Sequence, residues 1–156
     1  MAQAVHLADI AAALGLPIVG TEQNPAGLGP NVESLRQRCA STLAKMRFDA
    51  CEDGLLETLR GDGPAASAAE VVIAGCEAHV CLLQTALGLL DAGLKVWVVS
   101  GACGSRAAAN HALAMQRLQQ AGAGIVSAEM VAFEWLGSCE HQRFRQVLKL
   151  LKEAPA

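Results

Sequence analysis

The chain has 156 residues, of which 53% are hydrophobic and 17% charged, and its formal net charge is −3. This length and composition predict a single compact domain over residues 1–156 and exclude a disordered chain. The twelve Lys and Arg are scattered and only 3% of the residues are aromatic, so nothing indicates nucleic-acid binding.

The first third of the chain predicts a helix, a strand and a long loop before two further elements. Apolar residues recur at helical spacing over 2–14, and Gly15 ends this predicted helix. A short strand over 17–20 leads into a polar loop over 21–40, and a loop of that length in a compact domain is usually functional. The remaining predictions are a short strand within 41–48, a helix over 51–60 and a plain surface connection, GDGPAAS, over 61–67.

The rest of the chain alternates strands with amphipathic helices. This alternation predicts the α/β class, a three-layer αβα arrangement with a mostly parallel sheet and helices on both faces. The predicted elements are strand 71–75, helix 79–92, strand 95–100, a Gly-rich turn GACGS over 101–105, helix 106–121, strand 124–127, and short helices near 129–136 and 141–152.

A candidate nucleophile follows the strand 71–75. A tight polar bend places Cys81 at or near the first turn of the next helix, where unpaired backbone N–H groups and the helix dipole favour an anion. A thiol loses its proton more easily there, and an α/β protein would place a nucleophile at this point. The alternative is that Cys81 is a small buried apolar residue inside HVCLLQTAL.

Four segments in the chain resemble the isochorismatase-like cysteine hydrolases, especially the isochorismatase domain-containing branch. GCEAHVCLLQTALGLLDAGLKVWVVSGACGSR (75–106) resembles the nucleophile segment of that family. The resemblance continues in the same order through TEQNPAGLG (21–29), AKMRF (44–48) and SAEMVAFEWLG (127–137). It therefore covers nearly all of the chain.

The resemblance implies a mechanism and assigns residues to it. Cys81 would attack a carbonyl or related electrophilic carbon, and water would then hydrolyse the covalent intermediate. Backbone N–H groups of Glu77 and Cys81 would form the oxyanion hole, and a cis peptide is expected at Cys76–Glu77. Lys45 would be the catalytic lysine that holds an anionic partner and favours the thiolate. The alternative for Lys45 is an ordinary surface lysine.

Several neighbouring residues are rival candidates. Cys76 is interpreted as a packing residue, and Cys103 as part of a structural turn, although backbone amides in such a turn can cradle an anion. His79 lies two positions before Cys81, and residues two apart do not share a helix face, so a bend residue facing solvent or the pocket mouth is favoured over a general base. Arg106 is interpreted as a helix-start or interface charge.

Thr21, Glu22 and Gln23 are predicted to line the substrate pocket. They end a strand at the carboxyl edge of the sheet, where ligands bind in such folds, although Glu22 could instead anchor the following loop. Metal-binding relatives carry an Asp/His cluster in this region, whereas TEQNPAGLG has no histidine. The sequence has no CxxC pair and no His/Cys cluster at zinc spacing either, so we predict no metal and no cofactor.

The chain departs from the family pattern at its start. The family triad is Asp, Lys and Cys, with the aspartate at the end of a first strand, but this chain opens on a predicted helix that contains Asp9. The first strand is expected in the middle of the sheet, between the TEQ strand and the nucleophile strand. Its loss would leave an open slot that neighbouring strands or another chain must close. Three explanations remain, namely a mis-assigned start codon, a truncated gene or product, and a natural silent variant.

The sequence also indicates where the protein works and how it assembles. No apolar run reaches the length of a membrane span, and the N-terminus lacks the basic region of a signal peptide, so a cytoplasmic protein with reduced thiols is expected. Phe133, Trp135 and Leu136 predict either an internal core helix or a subunit interface, and the resemblance implies a homo-oligomer.

Three hypotheses about function follow. The first is a cysteine hydrolase acting on a small amide, ester or vinyl-ether substrate, which the absent aspartate could make inactive. The second is a non-catalytic, oligomeric interaction protein of the same family. The third, a flavodoxin-like small-molecule binding module, is supported only by GACGS.

Overall fold

The computed structural model of the chain describes residues 1–60 and 69–153. The predicted surface connection over 61–67 lies outside the described residues. Before that gap the chain forms three helices and two strands, then a 3-10 turn over Ala50–Asp53 and a fourth helix. These elements are α1 (Ala2–Leu14), β1 (Val19–Gln23), α2 (Pro25–Leu28), α3 (Glu33–Arg36), β2 (Ser41–Lys45) and α4 (Leu55–Arg60).

After the gap, strands and helices alternate as the sequence predicts. A π-helical turn over Ala78–Leu82 joins the first strand of this part to its helix. The elements are β3 (Glu70–Cys76), α5 (Leu83–Asp91), β4 (Lys95–Gly104), α6 (Ala108–Gln120), β5 (Gly124–Val126), α7 (Ala128–Leu136) and α8 (Phe144–Lys152).

The described strands form two separate parallel sheets. β1 pairs with β2, and β3, β4 and β5 pair in that order. Within the described residues, one edge of β1 and one edge of β3 therefore have no strand partner. These are the two strands between which the sequence predicted a slot.

Two apolar layers cover the faces of the three-stranded sheet. Side chains of consecutive strand residues point to opposite faces, and Val98 and Val99, both fully buried, pack into different layers. Val98 packs with α5 and α6, where Leu89 and Leu118 are fully buried. The opposite face is covered by α1 and α7, and α8 packs against these two helices. The predicted three-layer α/β class is confirmed.

The small β1–β2 sheet shares the first of these layers. Val19 and Leu43 pack against the core that α5 and α6 form on the larger sheet. Apolar packing, rather than a backbone ladder, therefore connects the two sheets in the described chain. This matters for the site, because its residues come from both sheets.

Two predicted elements differ from the structure. The turn predicted over 101–105 is wrong, because β4 continues through Gly104. The ladder shifts register between Ile73 and Gly75, so that Gly75 pairs with Cys103, and such an irregularity lets a glycine-rich segment remain in a strand. The loop predicted over 21–40 was too long, because β1 runs to Gln23 and two short helices follow it.

The predicted interface residues on α7 divide between core and surface. Leu136 is buried, and Trp135 packs partly buried against both apolar groups on its face. Phe133 is 42% exposed and Met130 is 50% exposed. None of the described helices is both long enough and apolar enough to span a membrane.

Candidate active site

The bend after β3 presents Cys81. Gly75 has a φ of 136°, a value that L side chains rarely adopt, and the Cys76–Glu77 peptide is cis. The Glu77 carbonyl then accepts hydrogen bonds from the N–H groups of Val80, at 3.0 Å, and Leu82, at 3.3 Å. These bonds wind the chain into the π-helical turn, so Cys81 lies just ahead of α5, among backbone amides at the start of a helical segment.

The carboxyl ends of β1 and β2 supply two further polar side chains. Gln23 and Lys45 are register partners in the parallel ladder. The Lys45 side chain is buried, with 4% of its surface exposed, so it is not a surface lysine. Its Nζ donates hydrogen bonds to Gln23 Oε1 at 2.5 Å and to the carbonyls of Arg47 and Phe48, each at 3.0 Å. Three acceptors match the three donors of an ammonium group.

Gln23 connects the two sheets at the site. Its Oε1 also accepts a hydrogen bond from Cys81 Sγ at 3.7 Å, while its Nε2 donates to the Met46 carbonyl at 2.6 Å. The thiol of Cys81 and the ammonium of Lys45 therefore share one amide oxygen. The structure thus brings together three of the residues that the sequence singled out.

The charge of Lys45 is unbalanced in the described part of the chain. No described carboxylate lies within 4.0 Å of its Nζ, and its partners are neutral oxygens. Burying a cation without an anion is unfavourable, so an anion that approaches this site is stabilised. A thiolate at Cys81 or an anionic substrate group can provide that charge.

Thr21 and Glu22 hold the following loop and make no hydrogen bond to Cys81 or Lys45 within the described residues. The buried Glu22 carboxylate accepts a hydrogen bond from the Asn31 N–H at 2.9 Å and pairs with Arg36 Nε at 3.4 Å. The Thr21 carbonyl accepts from Asn31 Nδ2 at 2.9 Å. The anchoring alternative therefore describes the Glu22 contacts.

Sequence reasoning missed the residues that hold the backbone segment 46–48, two of whose carbonyls accept hydrogen bonds from Lys45. Asp53 Oδ2 accepts hydrogen bonds from the N–H groups of Met46, at 2.7 Å, and Arg47, at 2.8 Å, and these bonds lower the pKa of the Asp53 carboxyl. Thr85 Oγ1 donates to the Phe48 carbonyl at 3.3 Å. A polar threonine within an otherwise apolar helix face was the only sequence signal for this role.

The other cysteines differ from Cys81 in environment. Burial, with the nearby Asp49 carboxylate, raises the pKa of Cys51 to about 12, and burial raises that of Cys103 to about 11. Burial and the Glu22 charge also raise the pKa of Cys39. All six cysteines are free, and Cys76 and Cys139 are exposed. In the described residues, no three His, Cys, Asp or Glu side chains come together as a metal site.

On the side of the bend next to β4, two contacts join it to the residues that follow that strand. His79 Nδ1 and Ser105 Oγ share a hydrogen bond of 3.0 Å, and Arg106 Nε lies 2.9 Å from Glu77 Oε1. His79 is therefore bonded to Ser105, its Nε2 lies 3.4 Å from Glu77 Oε2, and within the described residues it makes no hydrogen bond to Cys81. Arg106 pairs within the chain.

Parallel strands between two helix layers, with polar side chains gathered at their carboxyl ends, define an α/β protein of the kind that binds ligands at that edge. The chain belongs to the isochorismatase family, since the model of the isochorismatase domain matches residues 1–130. The family predicted from the sequence motifs is confirmed.

Relatives and solved structures agree with this assignment. The chain is 36% identical over 150 residues to isochorismatase domain-containing protein 2 of Homo sapiens, covering 96% of this chain and 71% of that protein. A structure of MAR1 ribonuclease from Caenorhabditis elegans matches with a TM-score of 0.89 and 34% identity, covering 99% of this chain and 80% of the other. YcaC of Escherichia coli, described as an octameric hydrolase of unknown specificity, shares the fold with a TM-score of 0.82 at 23% identity, covering 99% and 82%.

Proposed function

We propose that this member of the isochorismatase family is a cysteine hydrolase that acts on a small molecule of amide, ester or vinyl-ether type. The observation that supports it most is the buried Lys45 ammonium, which has no described counter-anion and shares the Gln23 Oε1 atom with the Cys81 thiol. A fixed positive charge in a buried site favours the anionic nucleophile and the anionic intermediates of acyl transfer.

For an amide or ester substrate, the proposed reaction has two steps. The Cys81 thiolate forms a bond to the electrophilic carbon, and the oxyanion that develops accepts hydrogen bonds from backbone N–H groups of the bend, those of Glu77 and Cys81. When the tetrahedral species collapses, the leaving group departs with a proton taken from water. Water then adds to the thioester and forms a second tetrahedral species. Collapse of this species releases the acid and restores the Cys81 thiol.

Deprotonation of the thiol has no dedicated base in the described chain. Cys81 Sγ hydrogen-bonds to the neutral Gln23 amide, and no described carboxylate or imidazole is bonded to it. Its proton therefore goes to solvent, and the rate follows the fraction of thiolate. We propose that the protein works in the cytoplasm without a metal or cofactor.

The alternative is a non-catalytic interaction protein that assembles with copies of itself. Two observations favour it, namely the lack of a described base at Cys81 and the exposed apolar side chains Met130 and Phe133 on α7. The fold neighbour YcaC is described as an octamer, and we propose a homo-oligomer for this chain under either hypothesis.

The similar nematode protein is called a ribonuclease, but cleavage of RNA is less well supported for this chain. Its net charge is −3, and four of its arginines are paired with carboxylates. Binding of RNA depends on free cationic groups that contact phosphates. A small-molecule substrate therefore fits the site better.

Alkylation by iodoacetamide as a function of pH, with peptide mapping of each cysteine, tests the proposed nucleophile. We expect Cys81 to react faster than the exposed Cys139 near neutral pH, and Cys81→Ser to abolish hydrolysis of a panel of small amides and esters. The variant Cys139→Ser is the matched control and should keep wild-type activity. If Cys81 reacts no faster than Cys139, the hydrolase proposal is wrong and the interaction protein replaces it.

A further inference from the structure

The bend that carries Cys81 is fastened on one side to the end of β4. Cys76 and Gly104 are register partners in the β3–β4 ladder, so the residues that follow them emerge side by side. Beyond this pair the β3–β4 ladder ends, and side-chain contacts join the bend to the residues that follow β4. Glu77 pairs with Arg106, and His79 bonds to Ser105. Two residues of the bend are thus tied to two consecutive residues after β4.

These ties lie on the opposite side of the bend from the thiol. Cys81 Sγ faces Gln23, which belongs to β1, whereas His79 faces Ser105, which follows β4. Residues two apart in a helical turn point in different directions, so the same turn contacts Ser105 through His79 and Gln23 through Cys81. On the β1 side the Cys81 side chain is held, among the described residues, by the sulfur contact to Gln23, which is long and weak.

We infer that Ser105 and His79 are positioning residues that aim the Cys81 thiol at Gln23 and Lys45. The inference rests on the proposed function, because it assigns them to the nucleophile of that reaction. Their hydrogen bond fixes the orientation of the turn from the side where the three-stranded sheet provides the support. A displacement of about 1 Å in such a site lowers rates by up to about a hundredfold, so a single fixing bond has a measurable effect.

The two ties are unequal. The Arg106 side chain is 80% exposed, and an ion pair in that setting contributes little. The His79 side chain is mostly buried, with 20% of its surface exposed. The His79–Ser105 bond is therefore the stronger of the two contacts. A variant at Arg106 should accordingly change the Cys81 reaction rate less than variants at His79 or Ser105.

Alkylation of each thiol in Ser105→Ala, His79→Ala and the double variant tests the inference. We expect the Cys81 rate at fixed pH to fall about tenfold in each single variant, with Cys139 unchanged, and a smaller fall in Arg106→Gln. The double variant should be no slower than His79→Ala, because Ser105→Ala removes a bond that His79→Ala already removes, whereas His79→Ala also removes the 3.4 Å contact of His79 Nε2 with Glu77 Oε2. Ser105→Thr keeps the hydroxyl and should restore the wild-type rate even if Ser105→Ala folds poorly.

A matched control is Ser138→Ala, which removes an exposed serine that accepts a hydrogen bond from the Glu140 N–H. It should leave the Cys81 rate unchanged. If wild-type Cys81 is faster than Cys139 but the Ser105 and His79 variants match wild type, the positioning role is wrong and the proposed function stands. If wild-type Cys81 is not faster than Cys139, the proposed function fails and this inference fails with it.

Discussion

The two sheets contribute to the site in different ways. Cys81 follows β3 of the three-stranded sheet, and its bend is tied to the end of β4. Lys45 and Gln23 come from the β1–β2 pair, which no ladder joins to the larger sheet in the described chain. Across the boundary, the hydrogen bond that links the three site residues is the one from Cys81 to Gln23. The relative position of nucleophile and cation thus depends on side chains and apolar packing, so single substitutions at the boundary should have large effects.

The largest effect is expected for Lys45→Met. This change removes the buried charge and takes a donor from the carbonyls of Arg47 and Phe48. The Phe48 carbonyl keeps the Thr85 hydroxyl, and a buried carbonyl that loses its donor costs about 1–3 kcal/mol of unfolding free energy. Cys81 alkylation at pH 7 should also slow by about tenfold or more. Urea unfolding and thiol mapping measure the two effects. Lys149→Met, on the surface, is the control, and equal behaviour of both variants would contradict the role of Lys45.

Gln23→Glu sharpens the comparison by separating stability from reactivity. A carboxylate at this position can pair with the Lys45 ammonium, and this ion pair offsets the loss of the Nε2 donor to the Met46 carbonyl, so the fold should stay close to wild-type stability. The same negative charge beside Cys81 Sγ disfavours a thiolate, and alkylation should slow by about tenfold. Gln37→Glu, at an exposed position, is the control. A Gln23→Glu variant that reacts as fast as wild type would show that the amide does not couple the two sheets.

The buried thiols provide a comparison by pH. A thiol with a raised pKa has a low thiolate fraction near neutral pH. As long as the pH is below that pKa, the fraction increases about tenfold for each unit by which the pH rises. Alkylation of Cys103, with a pKa of about 11, and Cys51, with one of about 12, should therefore still be rising at pH 10. Mapping of labelled peptides between pH 6 and 10 measures this. A plateau for either cysteine below pH 9 would contradict the environment described for it.

A smaller effect is expected for Asp53→Asn, which weakens the segment that holds Lys45. The folded-state pKa of Asp53 is lowered, so its carboxylate contributes stability that is present above the unfolded value of 3.8 and lost as pH falls through the folded pKa. The variant should unfold at lower urea concentration than wild type at pH 7, and the difference should shrink towards pH 2. A difference that is constant over this range would assign the effect to packing rather than charge.

Periodicity and strand position predicted much of the fold. The helix ending at Gly15, the buried strand before Cys81 and the alternation that defines the α/β class all depend on short-range patterns, which a single sequence carries. The extension of β4 through Gly104 was not predictable, because it depends on a register shift at Gly75 in a different strand.

The site was predictable in its parts and less so in its connections. Cys81, Lys45 and Gln23 were named from strand ends and motifs, whereas the link through one amide oxygen requires two sheets to meet. Glu22 contacts the following loop whereas Gln23 contacts Lys45 and Cys81, because side chains of neighbouring strand residues point to opposite faces. Thr85 bonds to a backbone carbonyl 37 residues away, and Asp53 to backbone N–H groups six and seven residues before it in an irregular segment, so no periodic pattern marks these contacts.

The free edges of β1 and β3 have a consequence for how the protein behaves at high concentration. Amide hydrogens on an unpaired edge exchange with deuterium readily, whereas β4 lies between two strands and should be protected along its paired length. An unpaired edge is also a template for a strand from another molecule. Exchange that is slow in β4 and fast at the amides on the unpaired edges of β1 and β3, and that slows at these amides as concentration rises, would reveal pairing between copies through these edges.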